Sequence, residues 1–361
     1  MSHAFRTLLK KIASGPHTGK HLSRSEAEAA MIMVLRAEAT PAQIGGFIVA
    51  HRMKRPVPEE LAGILDAYDR LSQRIPALPT NSSPANAPAP LPMVLGCPYD
   101  GRARTAPVTP IVALLLANAG VPVVMHGGDR MPTKYGLPMV EIWQALGMDW
   151  THCDVTQLHN ALDRVQFAFA YTPSIFPETI AVANYRDQIG KRPPLATIEL
   201  MWSPYEGAAR HACGFVHPPT EGFFQGAFAL RGQPDFITVK GLEGSCDLPR
   251  SRTAIVGLYY GNQCSRLHLH ARDFGLGGTE AAMDSEADYL ADLAMILAGR
   301  IETDREHQLL QSAIWSGGFF LWQSGVCEDL KSGITQAEQV IRQGELANTI
   351  AKIQAVIRPL A

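Results

Sequence analysis

The side chains best suited to hold a phosphorylated ligand are gathered between Gly96 and Gly136. Two short apolar runs, Met93-Val94-Leu95 and Val123-Val124-Met125, each lead into a polar loop. The first loop carries Gly96, Asp100 and Gly101, with Arg102 and Arg104 as additional charges. The second carries His126, Gly127, Gly128, Asp129 and Arg130, then Thr133 and Lys134. Between them, Thr109-Pro110 reads as a helix start, with Thr109 as N-cap and Pro110 in the first helical position. A helix start leaves N–H groups without partners and its dipole favours negative charge. The unit therefore predicts an anion site beyond the carboxyl ends of its strands. Lys134 and Arg130 have the charge to grip a diphosphate, and His126 can contact a ribose or an acceptor. The plain alternatives are an ordinary βα turn, solvated cations and a hydrogen-bonded core histidine.

Several elements must position these groups. Residues 1–75 read as four helices. The first has Phe5, Leu8, Leu9 and Ile12 on one face. Capping boxes Ser23-x-x-Glu26 and Thr40-Pro41-x-Gln43 start the second and third, and Pro58-Glu59-Glu60 starts the fourth. Residues 76–92, rich in Pro, Ala, Ser and Asn, read as a linker. From residue 93 to 361, short apolar runs alternate with helical patterns, which predicts a mainly parallel sheet covered by helices. The expected strands include 167–171, 196–200, 236–239 and 267–270. A helix near 176–190 is a candidate to pack on the helical unit.

Bulk properties narrow the function. With 361 residues and 46% hydrophobic content, the chain can build two domains around a sizeable core. A net charge of -2 advertises neither nucleic acid nor an anionic membrane, although the N-terminal helices are locally basic (Lys10, Lys11, Lys20, Arg24, Arg52, Lys54, Arg55). The longest apolar stretch, 111–125, is broken by Asn118, Gly120 and Pro122 and is too short to span a bilayer. Six scattered cysteines fit reduced thiols, so the expected location is the cytoplasm. His268 and His270 share a strand face but lack a third ligand for zinc.

The helical patterns Ser23-x-x-Glu26, Thr40-Pro41-Ala42-Gln43-Ile44-Gly45 and Met53-Lys54 resemble the anthranilate phosphoribosyltransferase family, grouped with the nucleoside phosphorylases. His126-Gly127, Asp273-Phe274-Gly275-Leu276 and the tail through Gly299, Ala313, Gly325, Gly333, Ala337 and Gly344 extend the likeness over nearly the whole chain. The resemblance implies an α/β fold of that type. A small N-terminal helical domain would be hinged to a larger α/β domain with a mainly parallel sheet, dimerising through the helical part. It also implies pentosyl transfer from phosphoribosyl diphosphate to an amine or aromatic acceptor, with magnesium, as in tryptophan biosynthesis.

The departures fall at the chemistry. The family's Gly-Thr-Gly-Gly-Asp loop is here Gly96-Cys97-Pro98-Tyr99-Asp100, and its Asn-Ile-Ser-Thr is Ala106-Pro107-Val108-Thr109. Pro98 removes an N–H, and Tyr99 adds bulk where glycine lets a backbone approach a pyrophosphate. Met125 replaces a lysine, and the magnesium-binding Asp-Glu pair aligns with Cys246-Asp247. Carried over, the resemblance places substrate binding at Gly96, Asp100, Gly101, Thr109, His126, Gly127, Thr133, Lys134 and Arg186. Arg186 aligns with the anthranilate-side arginine. A metal would rest on Asp247, with Glu243 in place of the lost partner. These departures resemble a divergent branch whose members include dimeric nucleic-acid-binding proteins. Two functions therefore stand: a pentosyl transferase with eroded motifs, or a non-enzymatic homodimer that holds nucleic-acid phosphates. No catalytic residue is assigned.

Overall fold

The computed structural model describes residues 2–15, 17–79, 90–261 and 263–358. Most of the Pro-rich linker lies outside them. Four helices come first: α1 (His3–Ile12), α2 (Arg24–Leu35), α3 (Pro41–Lys54) and α4 (Pro58–Leu71). The capping boxes form as the spacing predicts. Ser23 accepts from the Glu26 backbone N–H, Glu26 accepts in return from the Ser23 N–H, and Thr40 and Gln43 repeat the exchange. At Gly63 a Cβ would collide with the Arg24 carbonyl, so this glycine lets α2 and α4 close on each other. Glu60 is fully buried and accepts from the Leu22 N–H at 2.8 Å and from Lys54 Nζ at 2.8 Å, tying three segments of the bundle together.

Seven strands form one sheet: β1 (Met93–Leu95), β2 (Val123–Gly127), β3 (Phe167–Tyr171), β4 (Arg210–Gly214), β5 (Phe236–Val239), β6 (Ala254–Tyr260) and β7 (Gln263–Leu269). Their order is β3-β2-β1-β4-β5-β6-β7. The first five are parallel and β6–β7 is an antiparallel hairpin on one edge. Helices cover the parallel strands, and so β1 and β3 read as unbroken apolar runs. The connecting and covering helices are α5 (Thr109–Asn118), α6 (Met139–Ala145), α7 (Val155–Val165), α8 (Thr172–Ile175), α9 (Thr179–Ile189), α10 (Leu195–Met201) and α11 (Pro218–Leu230). The tail adds α12 (Glu286–Leu297), α13 (Asp304–Gln323), α14 (Leu330–Arg342) and α15 (Glu345–Ile357). α9 packs on α2 and α3, and α11 packs on α4, so elements of the later sequence complete the helical unit. Among the described residues, no helix is long and apolar enough to cross a membrane.

Strand order reverses at β1: the chain goes to β2 and β3 on one side and to β4 and β5 on the other. The crevice beyond the carboxyl ends of β1 and β4 is therefore the natural ligand position.

Three local expectations are corrected. Residues 196–200 are helical, not a strand. The β-branched pair Thr197-Ile198 suggests a strand, but Pro193-Pro194 start a helix that buries Leu195, Ile198 and Met201 at helical spacing. His126 and Gly127 are not in a loop, because β2 continues through them by pairing with Ala170 and Tyr171 of β3. The strand expected at 267–270 ends at Leu269 and belongs to the antiparallel edge.

Two histidines in the sheet carry a pH dependence. His126 is pushed down to about 3, first by burial and then by nearby His211. His211 is pushed down to about 4 by burial and by the neighbouring charges of Arg231 and Arg74. Both must stay neutral in the folded chain and take up protons near pH 6.5 when it unfolds. The stability they support is complete above about pH 6.5 and declines as the pH falls toward their folded values. Each should cost about 2 kcal/mol between pH 6.5 and 5. Urea unfolding at pH 7 and pH 5 checks this. His211→Phe should flatten the difference by about half, and an unchanged slope would remove His211 from the account.

Candidate active site at the interdomain cleft

The loop after β1 and the loop after β2 are laced together by backbone. Arg102 and Leu137 exchange N–H···O bonds of 3.2 and 2.9 Å, and the Gly136 N–H donates to the Asp100 carbonyl at 3.0 Å. Gly101 has φ of +74°, and a Cβ there would strike the Gly136 backbone, so only glycine fits this crossing. Gly96 is likewise pressed against the Leu200 carbonyl. This lacing turns the Arg102 side chain inward, where it is fully buried.

Arg102 is the hub of a closed network. Its Nη1 donates to Asp247 Oδ2 at 2.8 Å and to Ser245 Oγ at 2.7 Å, and its Nη2 donates to Thr105 Oγ1 at 2.5 Å. Nε faces Glu243 Oε1 at 3.4 Å. The Glu243 carboxylate sits in a nest of three successive N–H groups, from Ala103 at 3.3 Å, Arg104 at 3.1 Å and Thr105 at 3.0 Å. Thr105 Oγ1 adds a fourth donor at 2.9 Å and Lys134 Nζ lies at 3.4 Å. Burial would raise the Glu243 carboxyl, but the charges of Arg102 and Lys134 and the Thr105 hydrogen bonds outweigh it and hold it down at about 2.

The helix start differs from its expected form. Val108, not Thr109, is the N-cap of α5, and it has no capping side chain. Asp247 supplies the cap from the loop after β5, accepting from the Val108 N–H at 3.1 Å and from Thr109 Oγ1 at 2.6 Å. The loop and the helix start are the two places where the sequence predicts an anion. In this structure each holds a carboxylate of the chain itself.

That occupancy decides the fit of a metal. Both Asp247 oxygens and both Glu243 oxygens are engaged by donors, and a buried guanidinium stands between the two carboxylates. As they stand, these residues do not fit magnesium. Among the described residues there is no group of three or more His, Cys, Asp or Glu side chains that could hold a metal ion.

The remaining expected residues fall into two groups. Asp100 is buried and paired with Arg192, whose Nε lies at 3.0 Å, and Lys134 Nζ donates to the Gly101 carbonyl at 2.7 Å. These two join the Arg102 cluster, while Thr133 is exposed on the neighbouring loop. His126 does not reach the cleft surface. It has no exposed area, its Nδ1 is 2.5 Å from the Tyr99 hydroxyl, and its ring meets Trp202 edge-on. Its expected contact with ribose or acceptor is replaced by a core role, with Gly127 buried beside it in the strand. Arg186, on α9, is buried and pairs with Glu199 of α10 through both terminal nitrogens. The pair lines a small cavity with Tyr68, Tyr99, Asp129 and Arg130, between the helical unit and the sheet.

Arg102, Ser245, Tyr99 and Glu199 were not anticipated as site residues. The signal for Arg102 was present: an arginine directly after Asp100-Gly101, with Glu243 and Asp247 four residues apart as available anions. Three of the seven basic residues noted in the helical unit are paired within it. Lys11 meets Glu26 at 2.5 Å, Arg24 meets Asp66 at 2.5 Å and Lys54 meets Glu60 at 2.8 Å.

A helical bundle joined to a mainly parallel sheet, with its polar cluster at the strand switch point, defines a two-part α/β architecture. The helical bundle domain of a glycosyl transferase family matches residues 6–72, and the a/b domain of that family matches residues 100–347. The chain belongs to this glycosyl transferase family. It is 27% identical to an anthranilate phosphoribosyltransferase of Anaeromyxobacter sp. (strain Fw109-5), over 93% of this chain and 95% of the relative. It is 26% identical to one of Rhodococcus jostii (strain RHA1), over 92% and 89%. The anthranilate phosphoribosyltransferase of Saccharomyces cerevisiae, solved in complex with PRPP and Mg, superimposes with a TM-score of 0.81 at 17% identity, covering 98% of each chain. The anthranilate phosphoribosyltransferase of Thermus thermophilus does so with a TM-score of 0.76 at 19% identity, covering 99% of this chain and 100% of that one. The relatives are transferases, and this chain is a divergent member of their family.

Arg102→Met should cost about 3–5 kcal/mol, because it strands buried carboxylates without their cation. Millimolar magnesium should recover part of the variant's melting temperature and leave the parent chain unmoved. Thermal melts with and without magnesium check this. An equal shift in the parent would show that the intact network admits the ion.

Proposed function

We propose that this chain is a phosphoribosyltransferase-type pentosyl transferase that takes phosphoribosyl diphosphate in the interdomain cleft and performs anthranilate chemistry poorly. The observation that carries this reading is the Glu243 carboxylate in the 103–105 N–H nest, a site shaped for an anionic oxygen beyond the end of β1. A ligand phosphate enters by displacing that carboxylate. Arg104, Lys134 and Arg192 stand at the rim to receive it, with Arg104 the most exposed. In the reaction, the acceptor nitrogen bonds to C1 of the pentose as the C1–O bond breaks. The electron pair leaves with diphosphate and the amine proton passes to solvent. The transition state has oxocarbenium character, and the departing charge needs fixed cations.

The family resemblance suggests a homodimer through the helical unit, and the exposed apolar Val49 and Met53 on α3 support that placement. The alternative, a non-enzymatic homodimer binding nucleic acid, rests on Lys10, Lys20, Arg52 and Arg55, which remain exposed. Its affinity would fall with salt at a slope of about -0.9 per phosphate neutralised on duplex DNA.

Glu243→Ala should tighten calorimetric binding of phosphoribosyl diphosphate by about tenfold or more, equivalent to about 1.4 kcal/mol. Anthranilate turnover by the parent should lie at least about 10²–10³ below ordinary enzymes, the usual effect of losing one electrostatic stabiliser. Unchanged affinity in Glu243→Ala would remove the nest as the phosphate site. Salt-dependent DNA binding without any phosphoribosyl diphosphate binding would favour the alternative.

A further inference from the structure

The cavity that would receive the acceptor has an unusual charge arrangement. Its arginine, Arg186, is buried and held by both Glu199 oxygens, so the guanidinium is already neutralised before any ligand arrives. Burial also lowers Arg186 from its ordinary range, so the guanidinium depends on the Glu199 carboxylate that already faces it. Arg130, at the cavity mouth, is bound by two carboxylates, Glu141 at 2.6 Å and Glu286 at 2.6 Å. It offers no free positive charge to a ligand. Asp129, in contrast, receives only the Tyr171 hydroxyl, at 2.8 and 2.9 Å, and has no cationic partner among the described residues. The walls between these groups are aromatic and apolar, including Tyr68 and Tyr99.

We propose that this pocket takes a flat aromatic amine carrying a cationic group, such as an amidinium, and rejects an acceptor carrying a carboxylate. This rests on the reading of the cleft as the acceptor side of a pentosyl transferase. The aromatic ring lies between the tyrosine walls, and the cation lies against Asp129 and the outer edge of Glu199. A carboxylate in the same place meets Asp129 at close range and can reach Arg186 only by breaking the Arg186–Glu199 pair. Removing one partner from a buried pair is costly, and like charges across a site discriminate strongly between ligands. An arylamine nitrogen on such a ligand stays uncharged at neutral pH and keeps the lone pair that transfer requires.

Calorimetry on the full chain tests this with two probes, 4-aminobenzamidine and anthranilate, without phosphoribosyl diphosphate. The parent should bind the amidine at least tenfold more tightly than anthranilate. Asp129→Asn, a surface change that leaves the fold intact, should remove most of that preference. Glu199→Gln should free Arg186 and reverse the order, with anthranilate gaining about tenfold and the amidine losing a similar factor. Anthranilate binding as tightly as the amidine in the parent overturns the proposal, as does binding of neither probe. So does an unchanged ratio in Asp129→Asn, the decisive variant where Glu199→Gln fails to fold. Because the readout is acceptor binding alone, an amidine-selective chain that shows no affinity for phosphoribosyl diphosphate would sink the transferase reading and leave this one standing.

Discussion

Arg102 is sealed from water, and a buried guanidinium carries a desolvation cost of several kcal/mol unless its donors are met. The loops around it meet that demand at both terminal nitrogens, and only Nε is left without a hydrogen bond. Ser245, Asp247 and Thr105 take its terminal nitrogens, and Glu243 stands beside Nε. Each carboxylate brought in for the guanidinium then needs donors of its own. Glu243 finds them in the 103–105 backbone and Asp247 finds them at the start of α5. The loops after β1 and β5 and the first turn of a core helix thereby become one unit. None of the three can move without stranding a charge.

The same logic runs through the rest of the cleft. Arg186 and Glu199 are buried together, Asp100 holds Arg192, and His126 is fixed neutral between Tyr99 and Trp202. Charges that a small anionic substrate would ordinarily meet are already matched within the chain. On the proposed function, a ligand binds by exchange with an internal partner, and its affinity is the difference between two sets of contacts. On that reading the difference favours ligands able to replace Glu243 in its nest on one side and to satisfy Asp129 on the other.

Much of this architecture is legible in the sequence. The capped helices at Ser23 and Thr40 and the parallel sheet follow from local rules of capping and periodicity, which depend on residues close in sequence. The positions of Gly101, Asp100, Lys134, Glu243 and Asp247 in one cluster are legible through resemblance. Their pairing is not. Whether Glu243 binds a metal or a guanidinium depends on which way Arg102 turns. That is decided by backbone lacing between distant loops, as the bonds exchanged by Leu137 and Arg102 show. The strand expected at 196–200 fails for a related reason: its β-branched pair points to a strand only when read without the Pro193-Pro194 start that commits it to a helix.

The residues of the loop after β1 are coherent when taken together. A glycine-rich turn keeps its backbone N–H groups open to a pyrophosphate. Here Pro98 removes one such donor, and Tyr99 folds inward, its ring buried and its hydroxyl against His126. Arg102 and Glu243 hold this loop from within. Cys246, next to Asp247, is fully buried, and an acid in its place would add a third carboxylate to the two that Arg102 already faces. Pro98, the inward Tyr99 and the Arg102–Glu243 pair thus act together to fix this loop from within.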